Sequence, residues 1–215
     1  MIGIERDGGL WTATIRRPDK ANSLTLSMLE TLADIAAEAG QGGARVLVLT
    51  GEGKVFSAGA DLDEARAGLA VHPVWERLSG AIAAAPCLTI AALNGTLAGG
   101  AFGMALACDL RIAVPTARFF YPVMALGFLP QPSDPVRLAA LVGPARAKMI
   151  LMAGARVEAA EALAWGLVDR IAEPGALLSD VRQFAQAALE ARDGHGAAIK
   201  AMIPTGSAPR GLSGA

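Results

Sequence analysis

The stretch Leu88 to Val114, LTIAALNGTLAGGAFGMALACDLRIAV, decides the architecture. It opens on a mainly apolar run, Leu88–Leu93, of strand length and without polar alternation, as expected of a strand covered on both faces. Asn94-Gly95 ends that run, and Gly99-Gly100 stands at the head of a helix-length apolar segment from about Ala98 to Cys108. A second strand-like run, Leu110–Val114, completes the unit. Strands alternating with helices, the strands near-continuously apolar, indicate an α/β fold. No charged residue occurs between Arg77 and Asp109, a span long enough to cross a bilayer. Pro86, Asn94-Gly95 and Gly99-Gly100 divide it into short pieces, so a buried strand–turn–helix is expected and no membrane partner.

Working outward, Ile2–Arg6 and Leu10–Arg16 flank Asp7-Gly8-Gly9 and read as a hairpin. Thr25 or Ser23 can cap a helix in which Leu26, Leu29, Leu32, Ile35 and Ala36 recur at helical spacing. Arg45–Thr50 is another buried strand, and Gly51-Glu52-Gly53-Lys54 turns it into the segment Val55–Asp61. Helices are expected at Asp61–Leu69 and Val74–Ala85, with Glu64 and Glu76 on their solvent faces. From about residue 132 the pattern is helical (135–142, 144–152, 158–164 and 175–191), interrupted by an extended piece at Leu167–Ile171. Residues 1–200 read as one domain, and 204–215, which lack periodicity, as a disordered tail.

Composition narrows the function classes. The 215 residues are 53% hydrophobic, much of this alanine, with a mean hydropathy of +0.42. Nineteen basic and 20 acidic residues give a net charge of −1 without a basic block, so no nucleic-acid partner is expected. Cys87 and Cys108 sit among apolar neighbours and read as buried small residues; with only His72 and His195 beside them, no metal site is expected. The N-terminus alternates and carries charge from Glu5, unlike a signal peptide, which places the protein in the cytoplasm.

Two glycine-rich turns carry the chemistry. Phe56-Ser57-Ala58-Gly59-Ala60-Asp61-Leu62 and Asn94-Gly95-Thr96-Leu97-Ala98-Gly99-Gly100-Ala101 each lie between a buried strand and a helix. Small residues there let a ligand approach the main chain, and a helix start leaves free N–H groups where negative charge is favoured. Two such amides converging on one point would make an oxyanion hole. Taken singly, each loop is better explained by a tight turn and close helix–sheet packing. A Walker A loop is excluded because no lysine follows the glycines, and no dinucleotide fingerprint is formed.

Taken together, these loops and four further segments resemble the motifs of the enoyl-CoA hydratase/isomerase (crotonase) superfamily. The segments are Arg17-Pro18 with Asn22-Ser23-Leu24, Cys108-Asp109-Leu110-Arg111-Ile112-Ala113, Leu126-Gly127-Phe128-Leu129-Pro130, and Ala162-Leu163-Ala164-Trp165-Gly166-Leu167-Val168. The resemblance covers residues 1 to about 200. It implies a spiral of ββα units with C-terminal helices, and trimers or dimers of trimers. It also implies an acyl-CoA thioester as substrate, with no tightly bound cofactor and no metal. The implied oxyanion amides are those of Ala58 and Gly100. Coenzyme A would lie along Ser57, Ala58, Gly59, Ala60, Asp61, Leu62 and Gly99, with Lys20 and Ala21 beside the nucleotide. The helical part from about 132 is shortened relative to the family.

The family's two hydratase glutamates are missing: their positions are Gly103 and Val123, and neither residue moves a proton. Gly103 either widens an apolar acyl pocket or records the loss of a base no longer needed. Four side chains remain as candidates. Asp134 is a substitute carboxylate or the cap of the helix after Pro135, and Tyr121 is a hydrogen-bond donor or a space filler. Gln131 follows the Leu126–Pro130 turn, and His72 lines the acyl pocket or sits in a surface loop. Two functions follow: an enzyme of enolate chemistry, with decarboxylation or C–C cleavage open to it without a base, or a non-catalytic acyl-CoA binder or assembly component.

Overall fold

The computed structural model describes residues 1–173 and 175–203, and the tail expected at 204–215 lies outside the described residues. The chain opens with the hairpin β1 (Ile2–Asp7) and β2 (Leu10–Ile15), in register from Ile2↔Ile15 to Asp7↔Leu10. Helix α1 (Leu26–Gln41) starts where the Thr25 hydroxyl accepts the Met28 amide. Glu64 is not on a solvent face: its Oε2 accepts the Leu26 amide at 2.6 Å and completes that helix start. Leu29, Leu32, Ile35, Ala36 and Ala39 are buried along α1, and full burial of one leucine is worth about 2–3 kcal/mol.

Strands β3 (Val46–Gly51) and β4 (Val55–Ser57) lead to α2 (Leu62–Arg66) and α3 (Val74–Ala84). Next come β5 (Leu88–Leu93), β6 (Thr96–Ala98), a 3-10 turn at Gly99–Ala101 and α4 (Phe102–Ala107). Strands β7 (Leu110–Ala113) and β8 (Arg118–Phe120) precede α5 (Val123–Leu126), α6 (Asp134–Val142) and α7 (Pro144–Leu151). The chain continues through β9 (Val157–Glu158), α8 (Ala159–Trp165), β10 (Arg170–Ile171), α9 (Leu177–Glu190) and α10 (His195–Met202).

The strands form two sheets. The larger, in order β1-β2-β3-β5-β7-β10, is parallel from β2 onward. The smaller, β4-β6-β8-β9, is parallel up to β8. The units β3-β4-α2, β5-β6-α4 and β7-β8-α5 thus repeat a ββα turn, each giving its first strand to the large sheet and its second to the small one. Alternate residues of the large sheet enter different cores. Val46, Val48, Ile90 and Ile112 meet Leu177, Val181 and Ala185 of α9, whereas Leu47, Leu49, Ala91 and Leu93 join the main core with α1 and α3. The helix expected from Ala98 begins instead at the Gly99 turn, because Thr96–Ala98 is drawn into the small sheet between β4 and β8.

Two of the recurring segments serve as scaffold. Arg111 is 3% exposed; its guanidinium pairs with Asp169 at 2.8 Å and donates to the carbonyls of Leu167 and Cys108, tying β7 to the end of α8. Asp109 Oδ2 accepts from the Thr89 amide and from Lys200 Nζ, which pins α10 to β5. Cys87 and Cys108 are buried free thiols, as their neighbours suggested.

Candidate active site

The turn after β4 is shaped by groups that reach it from the first loop. Asn22, fully buried and at φ +53, accepts the Arg17 amide through Oδ1 and donates to the carbonyls of Glu52 and Val55 through Nδ2. Left-handed backbone is a conformation that asparagine tolerates. Ser57 is also fully buried; its hydroxyl donates to the Asn22 carbonyl at 2.8 Å and accepts the Gly59 amide. Arg17 donates to Asp61 Oδ2 at 2.8 Å, which holds the Asp61 carboxyl below the usual carboxylate range. The other oxygen of Asp61 accepts the Asp63 and Glu64 amides and so starts α2. The side chains of Ser57 and Asp61 therefore set the loop's shape, leaving its main chain as the surface.

The two glycine turns converge. Gly59 has φ +94, and a Cβ built there would lie 3.0 Å from the Ala98 carbonyl oxygen and 3.3 Å from the Gly100 nitrogen. Gly99 has φ +58, with its own Cβ position 3.5 Å from the Ala58 carbonyl oxygen. Only glycine permits this approach.

One of the two expected amides changes. The Ala58 N–H donates to the Ala21 carbonyl at 3.0 Å and is spent within the loops. Leu24 pairs with the turn as an isolated parallel bridge, donating to the Gly59 carbonyl and accepting the Asp61 amide. In such a bridge the central residue, Ala60, points its own N–H to the opposite side. The Gly100 N–H lies in the opening 3-10 turn, where a helix leaves its first amides without partners. The available pair is therefore Ala60 and Gly100. Nothing in the sequence distinguishes Ala58 from Ala60; the hydrogen bond that spends the Ala58 N–H on the Ala21 carbonyl makes the choice.

Next to α4, at Gly103, lies a buried carboxyl. Asp134 is 1% exposed, and the Cβ absent from Gly103 would stand 2.9 Å from its Oδ1. Oδ2 accepts the Tyr121 hydroxyl at 2.9 Å, whereas Oδ1, also buried, has no hydrogen-bond partner among the described residues. Burial pushes the Asp134 carboxyl up to about 7, with Glu76 adding to the rise and Tyr121 and Arg137 opposing it. Burial and the neighbouring carboxyl likewise raise the Tyr121 hydroxyl. The Tyr121 ring stacks on Phe102 with centroids 5.4 Å apart, and Val123 is buried next in the chain. The cap reading of Asp134 fails: it is the first residue of α6, Ser133 holds the cap position, and no side chain caps the helix. Glu76 is not solvent-facing either, since its Oε1 accepts both the amide and the hydroxyl of Ser133.

The other candidates are committed elsewhere. His72 Nδ1 accepts the Val74 amide at the start of α3. Gln131 donates to the Ala70 carbonyl at 3.0 Å, and the Trp75 indole N–H donates to the Leu69 carbonyl at 2.8 Å. Together these fix the segment Leu69–His72. Trp75 also packs 3.3 Å from where a Gly100 Cβ would stand, a neighbour that the helical periodicity of α3 does not reveal. Lys20, Ala58 and Leu62 are exposed at the rim of the first turn, whereas Ala21 is half-buried. Two open concavities of about 320 and 740 Å³ lie between the large sheet and α9; neither is lined by Ala60, Gly100 or Asp134. Among the described residues no cluster of metal-ligating side chains occurs, and no helix is long and apolar enough to cross a membrane.

Comparison with known proteins agrees with this geometry. A sequence model of the family described as Enoyl-CoA hydratase/isomerase matches residues 5–212. The chain is 33% identical over 193 residues to the probable enoyl-CoA hydratase echA6 of Mycobacterium tuberculosis, covering 88% of this chain and 79% of that one. It is 36% identical over 202 residues to a putative enoyl-CoA hydratase of Thermus thermophilus, covering 86% and 76%. The crystal structure of an enoyl-CoA hydratase from Mycobacterium avium subsp. paratuberculosis superposes with a TM-score of 0.85 at 32% identity, over 94% of this chain and 80% of that one. That of DspI from Pseudomonas aeruginosa gives 0.85 and 32%, over 94% and 84%. With the ββα spiral, the paired glycine turns and this breadth of similarity in hand, the chain belongs to the enoyl-CoA hydratase/isomerase family of the crotonase superfamily.

Proposed function

We propose that this protein binds an acyl-CoA thioester and stabilises its enolate between the backbone amides of Ala60 and Gly100. The observation that carries this reading is the contact of the two turns at Gly59, whose missing Cβ would meet Ala98 and Gly100 at 3.0 and 3.3 Å. Donors fixed by the fold before charge develops need no reorganisation when it does, and one such donor is typically worth about 10²–10³ in rate. The main chain of residues 57–62 and the exposed Lys20 would take the adenine and phosphate end. Ordinary hydration by two carboxylates is not supported, since Gly103 and Val123 stand at both positions. Enolate formation then draws its electrons either from loss of a group, as in decarboxylation or C–C cleavage, or from proton removal by another side chain. The exposed apolar residues Met124, Leu126, Leu129, Met149 and Met152 suit burial between copies, as in a homotrimer.

The test is calorimetric titration with crotonyl-CoA and a longer 2-enoyl-CoA, beside a hydration assay on both. Micromolar binding with slow or no hydration is the expected result. Failure to bind any acyl-CoA overturns the reading, and rapid hydration overturns the argument from the missing glutamates. Binding without chemistry on any acyl-CoA would instead identify a non-catalytic binder, a reading favoured by the near-complete burial of Asp134.

A further inference from the structure

We infer that Asp134 is the acid/base of this site, delivered from α6 into the space that Gly103 leaves on α4, and that it works as a single base. The inference rests on the enolate site proposed above and deepens it. Gly100 and Gly103 stand three residues apart where the 3-10 turn runs into α4, so they lie one above the other on one face. A carboxyl oxygen 2.9 Å from the Gly103 Cβ position is therefore about one helical turn along from Gly100. One carboxyl oxygen, Oδ2, is held by the Tyr121 hydroxyl, and the other, Oδ1, is buried without a partner among the described residues. A buried acceptor left unpaired costs free energy, so it calls for a use.

One base suits a reaction in which the same proton is taken and returned. With a 3-enoyl-CoA, the carboxylate removes a proton from C2, and the C–H electrons form the dienolate whose oxygen the Ala60 and Gly100 amides hold. The carboxylic acid then returns the proton to C4 as the C3=C4 bond is lost and C2=C3 forms. Substrate and product have the same atoms, and neither water nor an oxidant enters. A group held near neutrality has both protonation states available for this exchange. Tyr121 acts as a positioning residue, turning Oδ1 away from itself. Oδ1 is closed off in this structure, so the acyl chain has to displace a cover.

The experiment uses the whole chain with 3-hexenoyl-CoA, following formation of the conjugated 2-enoyl thioester. In parallel, deuterium exchange at C2 of hexanoyl-CoA is followed by NMR and thioester affinity by calorimetry. The wild type is expected to isomerise and to exchange. Asp134→Asn should lose about 10²–10⁴-fold in both rates, with thioester affinity within about threefold of wild type, as for a group acting in the chemical step. Tyr121→Phe, which removes a hydrogen bond favouring the carboxylate, should move the pH profile of kcat to higher pH, a change that loss of packing would not produce. Asp134→Asn turning over at the wild-type rate overturns the inference. So does a wild type that binds thioesters yet neither isomerises nor exchanges, an outcome that leaves the binding reading standing. Absence of thioester binding overturns the underlying reading and this one with it.

Discussion

Asp134 couples stability to pH in a way that can be worked out from its surroundings. The ordinary value for its carboxyl is 3.8, and in the folded protein burial brings it to about 7. A raised value means that the fold prefers the neutral acid. The stability it allows is complete below about pH 4, is lost as pH climbs toward about 7, and changes little beyond. A shift of about three units corresponds to roughly 4 kcal/mol in total, at most about 1.4 kcal/mol per pH unit along the way. Tyr121 and Arg137 favour the charged form and Glu76 opposes it, all within this balance. Asp134→Asn removes the titration while keeping the shape. Urea denaturation of both proteins at pH 5.0 to 7.5, at one protein concentration, reads the difference between them, so other carboxylates cancel. That difference should move in favour of the variant by about 2–3 kcal/mol across the range. A difference constant to within about 0.5 kcal/mol would refute the assignment of a buried, proton-holding Asp134.

Two further substitutions probe the turn itself. Gly59→Ala adds a Cβ 3.0 Å from the Ala98 carbonyl oxygen at φ +94; it should cost about 1–3 kcal/mol of stability and at least about tenfold in acyl-CoA affinity, checked by denaturation and calorimetry. Asn22→Ala removes the partner of the Arg17 amide and of two carbonyls, all beneath the turn, and should destabilise by about 2–4 kcal/mol in the same denaturation assay.

How far the sequence reached depended on length and on register. The large sheet was legible because Val46–Leu49, Ile90–Leu93 and Ile112–Val114 are covered on both faces and so read as apolar runs without alternation. The small sheet was not: β4, β6 and β8 have three residues each and β9 two, too few to show a period, and Gly95 and Gly99 on either side of β6 read as loop. The glycine turns announced a site, yet the choice between the Ala58 and Ala60 amides rests on the bond from the Ala58 N–H to the Ala21 carbonyl, 37 residues away, which leaves no local pattern. Glu64 and Glu76 looked like surface charges because their partners, Leu26 and Ser133, are 38 and 57 residues away. Asp134 was visible as a carboxylate, but its contact with Gly103 joins two helices and leaves no local pattern.

That contact also changes what Gly103 means. A glycine within a helix ordinarily costs about 1 kcal/mol against alanine, so Gly103→Ala in isolation should stabilise α4. Here the new methyl would stand 2.9 Å from Asp134 Oδ1, closer than carbon and oxygen settle, in a region where Phe102, Gly103 and Asp134 are all buried. Gly103→Ala should therefore destabilise the protein, by about 1–3 kcal/mol. The sign should reverse once the carboxyl is gone: in an Asp134→Ala background the same change meets no oxygen and should recover up to about 1 kcal/mol. The double-mutant cycle then gives a coupling of about 1–4 kcal/mol between residues 31 positions apart. If the two changes add, the glycine is not there to make room for the carboxyl, and the loss of the helical glutamate and the arrival of Asp134 are unrelated. If they couple as described, Gly103 is neither a widened acyl pocket nor a neutral loss. A glutamate at 103 and an aspartate at 134 then exclude one another, because both would occupy the space now holding Asp134 Oδ1.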